Sequence, residues 1–126
     1  VFCDLRGFTA FAARADTGTV IRVLRDYYDV LERVVNAHEA TLINFFGDGA
    51  MVLLNAPVSV PDPALRAIDM VRDMQRAVQV LLSAWRSLDA GLGFGIGLAM
   101  GPATVGRREA RGDTGRGSDG GGAGGA

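Results

Sequence analysis

A chain of 126 residues with a formal net charge of −1 has length for one domain and no broad electrostatic pull on nucleic acid or an anionic membrane. Apolar residues make up 48 %, enough for a packed core, and no apolar run approaches the ~20 residues of a membrane span. Cys3 is the only cysteine, which excludes an internal disulfide, fits a reducing compartment and reads as a small buried hydrophobe. All thirteen basic residues are arginine, as expected of a GC-rich coding sequence. The chain opens in mid-strand, and we expect it to be a piece of a longer protein.

Val1-Phe2-Cys3-Asp4-Leu5 is an apolar strand interrupted by a carboxylate. A charge in such a strand is costly unless it is paired or metal-bound. Arg6-Gly7-Phe8-Thr9 turns into a short helix over Phe8 to Ala15, whose first backbone N–H groups favour phosphate. Asp16, Thr17 and Gly18 are expected to break it, with Thr17 or Thr19 capping the next helix. Val20 to His38 is that helix, with Val20, Leu24, Tyr27, Tyr28, Leu31, Val34 and Val35 on its core face. The two tyrosines read as core and rim residues. His38, the only histidine, sits where a cation complements the helix dipole, and without a Cys or His neighbour it makes no zinc site.

Thr41 to Phe46 and Ala50 to Asn55 form a hairpin. Gly47 and Gly49 flank its turn, where φ > 0 is usually needed, and leave Asp48 at the tip. Asp-Gly is an ordinary surface turn. It is equally a rigid mount for a carboxylate, and Mg²⁺ is usually held by one or two carboxylates plus substrate phosphates. A loop through Pro57 and Pro61 leads to Asp62 as N-cap and Pro63 at the first position of a long helix. Its expected core stripe is Leu65, Ile68, Val71, Met74, Val78, Leu81, Leu82 and Trp85, and it ends at Asp89-Ala90-Gly91. Phe94, Ile96 and Leu98 then alternate with Gly95, Gly97 and Ala99 in a fourth strand whose small residues permit close approach.

This order, β-αα-β-β-α-β, predicts an α+β, ferredoxin-like (palm-type) antiparallel sheet with helices on one face. Right-handed crossovers place the first strand between the third and fourth. The end of the first strand then meets the hairpin tip, so Asp4 lies next to Asp48. Two carboxylates there make a two-metal site for triphosphate chemistry plausible.

With those residues assembled, the chain resembles the catalytic domain of class III nucleotidyl cyclases, the adenylate and guanylate cyclases. Phe2-Cys3-Asp4-Leu5-Arg6-Gly7-Phe8-Thr9 is similar to that family's opening strand and turn, and Phe46-Gly47-Asp48-Gly49 to its hairpin. The run from Gly95 to Gly106 is similar to the Gly-Ile-Gly strand and Gly-Pro turn after its long helix. The resemblance implies residues 1–106 as a partial catalytic domain. It implies a dimer, with itself or a cyclase-like partner, and active sites at the subunit interface. Two Mg²⁺ or Mn²⁺ ions would rest on Asp4 and Asp48, helped by the Leu5 carbonyl. The amides of Gly7, Phe8 and Thr9 would hold phosphate, with Asn44 and Gly47 also at the nucleotide. The implied reaction converts ATP to 3′,5′-cyclic AMP and pyrophosphate, with GTP as the other candidate substrate. Asn44 stands where adenylate cyclases usually carry a base-reading lysine, and its amide pairs with either base. Cytoplasmic placement follows, as the domain of a larger protein that is itself free to be membrane-anchored.

Two alternatives compete: a catalytically silent, metal- and nucleotide-binding subunit, and a diguanylate-cyclase-like palm enzyme. The latter needs a Gly-Gly-Asp/Glu-Glu-Phe hairpin that Phe46-Gly47-Asp48-Gly49-Ala50 does not supply. The family's Asn-x-x-x-Arg motif has no counterpart here. Residues 107–126 are instead Arg- and Gly-rich, without a large apolar residue, and are expected to form a disordered tail.

Overall fold

The computed structural model describes residues 1–102, with Asn44, Phe45 and Phe46 described by backbone alone. The tail expected over 107–126, and the family-like turn over 103–106, lie outside the described residues. The elements run β1 (Phe2–Arg6), α1 (Phe8–Arg14), α2 (Thr17–Ala37), β2 (Thr41–Phe46), β3 (Gly49–Leu53), α3 (Pro63–Trp85) and β4 (Gly93–Gly97). The sheet is four-stranded in the order β2-β3-β1-β4, with every neighbouring pair antiparallel. It is the α+β, ferredoxin-like arrangement expected, with β1 between β3 and β4.

The two sides of β1 differ sharply. Cys3 and Leu5 are buried, whereas Phe2, Asp4 and Arg6 are exposed. Strand side chains alternate between faces, so this pattern assigns one face to the core and the other to solvent. The core face carries Cys3, Leu5, Ala50 and Val52 from the sheet. Against them pack Phe11 of α1, Tyr27 and Leu31 of α2, and Met70, Met74 and Val78 of α3.

Several expectations shift. Thr17 and Gly18 belong to α2 and do not interrupt it; the N-cap is Asp16, whose carboxylate accepts from the Thr19 N–H at 3.0 Å. An acid at this position satisfies one of the helix's orphan donors, which a later threonine cannot do from inside the first turn. The bond to Thr19 holds the Asp16 carboxyl below its ordinary pKa. The buried stripe of α2 is Val23, Tyr27, Val30, Leu31, Val34 and Val35, so Val23 and Val30 replace Val20 and Leu24 at its centre. In α3 the stripe is Ala67, Met70, Met74, Val78 and Trp85; Leu65 and Ile68 stay 58 % and 41 % exposed. Ala67 is buried although hydrophobicity alone ranks it below Leu or Ile.

Asp62 stands at the N-cap of α3 with φ 46°, but its side chain makes no capping bond. The helix ends at Trp85, and Asp89 shapes the following turn by accepting from Gly91 N–H at 2.7 Å and pairing with Arg14. β4 stops at Gly97, leaving Leu98 and Met100 outside the sheet and exposed. His38 C-caps α2 and meets Asp73 of α3 at 2.6 Å, so its partner is a carboxylate on the neighbouring helix.

Candidate active site

The hairpin tip is built by sequence. Phe46 pairs with Gly49, leaving Gly47 and Asp48 as a two-residue loop. Of the two flanking glycines, Gly47 takes the left-handed backbone, φ 66°. Tyr28 of α2 donates its hydroxyl hydrogen bond to the Gly47 carbonyl, so the long helix holds the turn from below. A bulge between Leu42 and Asn44 bends β2 before the turn.

Asp48 points back across the sheet. Its Oδ2 accepts from the Leu5 backbone N–H at 3.2 Å. The β1–β3 ladder runs through Phe2–Met51 and Cys3–Ala50, and the Asp48 carboxylate takes up the next β1 donor beyond it. Asp48 is thereby brought one residue from Asp4 along β1, across 43 residues of sequence from its contact.

Asp4 stands on the open face opposite Gly95 of β4. Its neighbours on that face, Phe2 and Arg6, stand opposite Gly97 and Gly93. On the β4 side the three open-face residues of β1 thus meet only glycines. The result is a shallow groove of about 410 Å³ lined by Phe2, Asp4, Arg6, Gly49, Gly95 and Gly97 among others. A Cβ on Gly95 would stand 2.7 Å from Asp4 Oδ1 and 2.8 Å from Arg6 Nε. Gly95 is therefore the space into which the carboxylate and the guanidinium both lean.

Gly7 closes the other side. Its φ is 77°, and a Cβ there would lie 2.7 Å from the Gly91 carbonyl oxygen. Only glycine satisfies both the left-handed backbone and that approach. The turn sets Phe8 and Thr9 at the start of α1 directly after Arg6. Leu5 contributes its N–H to Asp48 and its side chain to the core. Asn44 sits in β2 opposite Met51, and its side chain lies outside the described residues.

Beneath the carboxylates lies a neutral floor. Burial raises the Cys3 thiol, and burial together with the nearby Cys3, Asp48 and Asp4 raises the Tyr27 phenol far above its usual range. The Tyr27 hydroxyl is enclosed without a well-formed hydrogen bond among the described residues. Tyr28 is raised too, by burial and by the charge of Asp48. Cys3 is thus a core thiol and no thiolate nucleophile.

The donor set suits a hard divalent ion that arrives with part of its shell. Among the described residues no cluster of three or more His, Cys, Asp or Glu could hold a metal by itself. Two carboxylates beside an open groove leave positions for phosphate and water, the pattern of Mg²⁺ in phosphoryl-transfer enzymes. Sequence reading did not single out Arg6. The signal was present in the strand alternation, which puts residues 4 and 6 on one face.

A ferredoxin-like sheet with an open face, an acid in its central strand and an acid on the adjoining hairpin defines a palm-type domain. The family model described as the adenylate and guanylate cyclase catalytic domain matches residues 1–112, and the chain belongs to that family. It is 30 % identical over 87 residues to adenylate cyclase 1 of Rhizobium meliloti (strain 1021), covering 69 % of this chain and 13 % of that protein. Its fold is similar to the guanylyl cyclase Cya2, with TM-score 0.68 and 35 % identity, over 75 % of this chain and 48 % of that one. It is similar also to the adenylyl cyclase CyaB from P. aeruginosa, with TM-score 0.69 and 25 % identity, over 74 % and 50 %. The chain therefore spans about half the length of these two structures. No helix among the described residues is long and apolar enough to cross a membrane.

Proposed function

We propose that this chain carries the metal-binding half-site of a nucleotidyl cyclase that converts ATP to 3′,5′-cyclic AMP and pyrophosphate. The observation that supports it most is the Asp48–Leu5 hydrogen bond of 3.2 Å, which sets the hairpin acid beside the acid of β1. When bound, two Mg²⁺ or Mn²⁺ ions supply activation of the ribose 3′-hydroxyl and neutralisation of phosphate charge. Asp4 and Asp48 would hold them, with the Leu5 carbonyl assisting. The N–H groups of Gly7, Phe8 and Thr9 would orient the β- and γ-phosphates. In the reaction the 3′-oxygen bonds to the α-phosphorus, the bond to the β-phosphate oxygen breaks, and pyrophosphate leaves. The Gly93, Gly95 and Gly97 stripe keeps the face open for the nucleotide and for a second subunit, its own copy or a complete cyclase-like partner.

The sequence contains no Asn-x-x-x-Arg segment, so the groups that orient the ribose and stabilise transferred charge must come from elsewhere. The chain alone should turn over little ATP. GTP is the second reading; the observation favouring it is the higher identity to guanylyl cyclase Cya2, 35 % against 25 % for CyaB.

Binding of a fluorescent ATP or GTP analogue with Mn²⁺ tests the site. The Asp4→Asn, Asp48→Asn double variant should lose at least about tenfold in Mn²⁺-dependent affinity, about 1.4 kcal/mol. Equal binding by a double variant with native circular dichroism would sink the assignment. Mixing the chain with a complete relative bearing alanine at the positions of Asp4 and Asp48 should restore cyclisation at one hybrid site. Restoration with ATP but not GTP, or the reverse, decides the base.

A further inference from the structure

We propose that Arg6 is a positioning residue that makes divalent-cation binding at Asp4 depend on the nucleotide's polyphosphate. The inference rests on the reading of Asp4 as a metal ligand. Asp4 and Arg6 share the open face of β1, and both head groups converge on the point where Gly95 has no side chain, at 2.7 and 2.8 Å from it. Among the described residues neither head group makes a hydrogen bond or an ion pair, with the other or with a third group, and the two share the space above Gly95 without being bonded to each other. Arg6 directly precedes the Gly7 turn and α1, so along the chain it lies between Asp4 and the amides proposed for phosphate.

A guanidinium beside Asp4 opposes the arrival of a second, doubly charged cation there. Such an ion binds weakly while Arg6 occupies the carboxylate's surroundings. A triphosphate changes the balance. Its oxygens carry more negative charge than one carboxylate and offer the guanidinium several bidentate acceptor pairs. Arg6 then turns to phosphate, and its charge no longer opposes the metal that the phosphate carries to Asp4. Naked metal is thus disfavoured and the metal–nucleotide pair is selected. Gly95 is what permits the exchange, because any side chain there would fill the space both groups need.

The test is a Mn²⁺ titration of the full chain by electron paramagnetic resonance, with and without a non-cyclisable 3′-deoxy triphosphate. Arg6→Gln should bind Mn²⁺ alone about 3–10-fold more tightly than the parent, since the site is exposed and screened. The enhancement of Mn²⁺ affinity by the triphosphate should shrink by a similar factor. Arg6→Lys, which keeps the charge without the planar fork, should retain weak binding of Mn²⁺ alone and recover only part of the enhancement. Equal Mn²⁺ affinity of parent and Arg6→Gln in both arms overturns the role of Arg6 while leaving Asp4 as a ligand. No Mn²⁺ binding by either folded protein overturns the metal-site reading and this inference with it.

Discussion

The two faces of the sheet obey opposite rules. On the helix side, Cys3, Leu5, Ala50 and Val52 pack against Tyr27, Leu31, Met70 and Met74, with the last four fully buried. On the open side, Phe2 is 57 % exposed, Asp4 and Arg6 are exposed, and three glycines stand opposite them. One face holds the fold together and the other is left unfilled. On the proposed function, stability and ligand binding fall to alternate residues of the same strand, and changes on one face should leave the other's property standing.

The sharpest way to break that separation is from the core. Leu31→Ala removes a fully buried side chain and should cost about 2–5 kcal/mol in chemical denaturation, taking ligand binding down only through unfolding. A loss under about 1 kcal/mol would mean that the helix face is far looser than its packing implies.

Two glycines sharpen the contrast further. Gly7→Ala forces φ 77° on a residue with a Cβ and drives it against the rigid Gly91 carbonyl. It should cost about 1–3 kcal/mol of stability. Gly95→Ala meets only the ends of two flexible side chains, Asp4 and Arg6. Its unfolding free energy should stay within about 0.5 kcal/mol of the parent, the usual range for changes away from the core. Mn²⁺–nucleotide binding should nonetheless fall several-fold. If Gly95→Ala unfolds the protein and Gly7→Ala does not, the assignment of the two faces is reversed.

A smaller effect on ligand binding lies at a contact between α2 and the hairpin tip. Tyr28→Phe removes the hydrogen bond to the Gly47 carbonyl and should cost about 0.5–1.5 kcal/mol. It should also loosen the tip that carries Asp48 and weaken Mn²⁺–nucleotide binding about two- to fivefold, measured by the same titration. A stability loss with unchanged affinity would confine Tyr28 to the fold.

Much of this was legible from residue order. The element order β-αα-β-β-α-β, read from alternation, turn residues and helical period, together with right-handed crossovers was enough to place β1 between β3 and β4. That in turn placed Asp4 near Asp48. The misjudged residues have a common physical cause. A helix sequence defines an apolar arc, but the neighbours decide which part of the arc is covered. Hence Val23 and Val30 are buried, while Leu65 and Ile68 remain on the surface of α3. Asp62 has the right residue type for a cap, but its backbone turns left-handed and its carboxylate misses the helix. Asp16 caps instead of Thr17 or Thr19 because its oxygen reaches the Thr19 N–H from outside the first turn.

Local chemistry in the chain determined the elements, the hairpin and the family motifs, because periodicity, turn residues and caps act over a few positions. Only the folded sheet decided that Asp48 bonds to Leu5, that Tyr28 secures Gly47, and that Arg6 shares the space above Gly95 with Asp4. Those contacts join distant parts of the chain through strand register and side-chain reach, and neither quantity is written in any short stretch of residues.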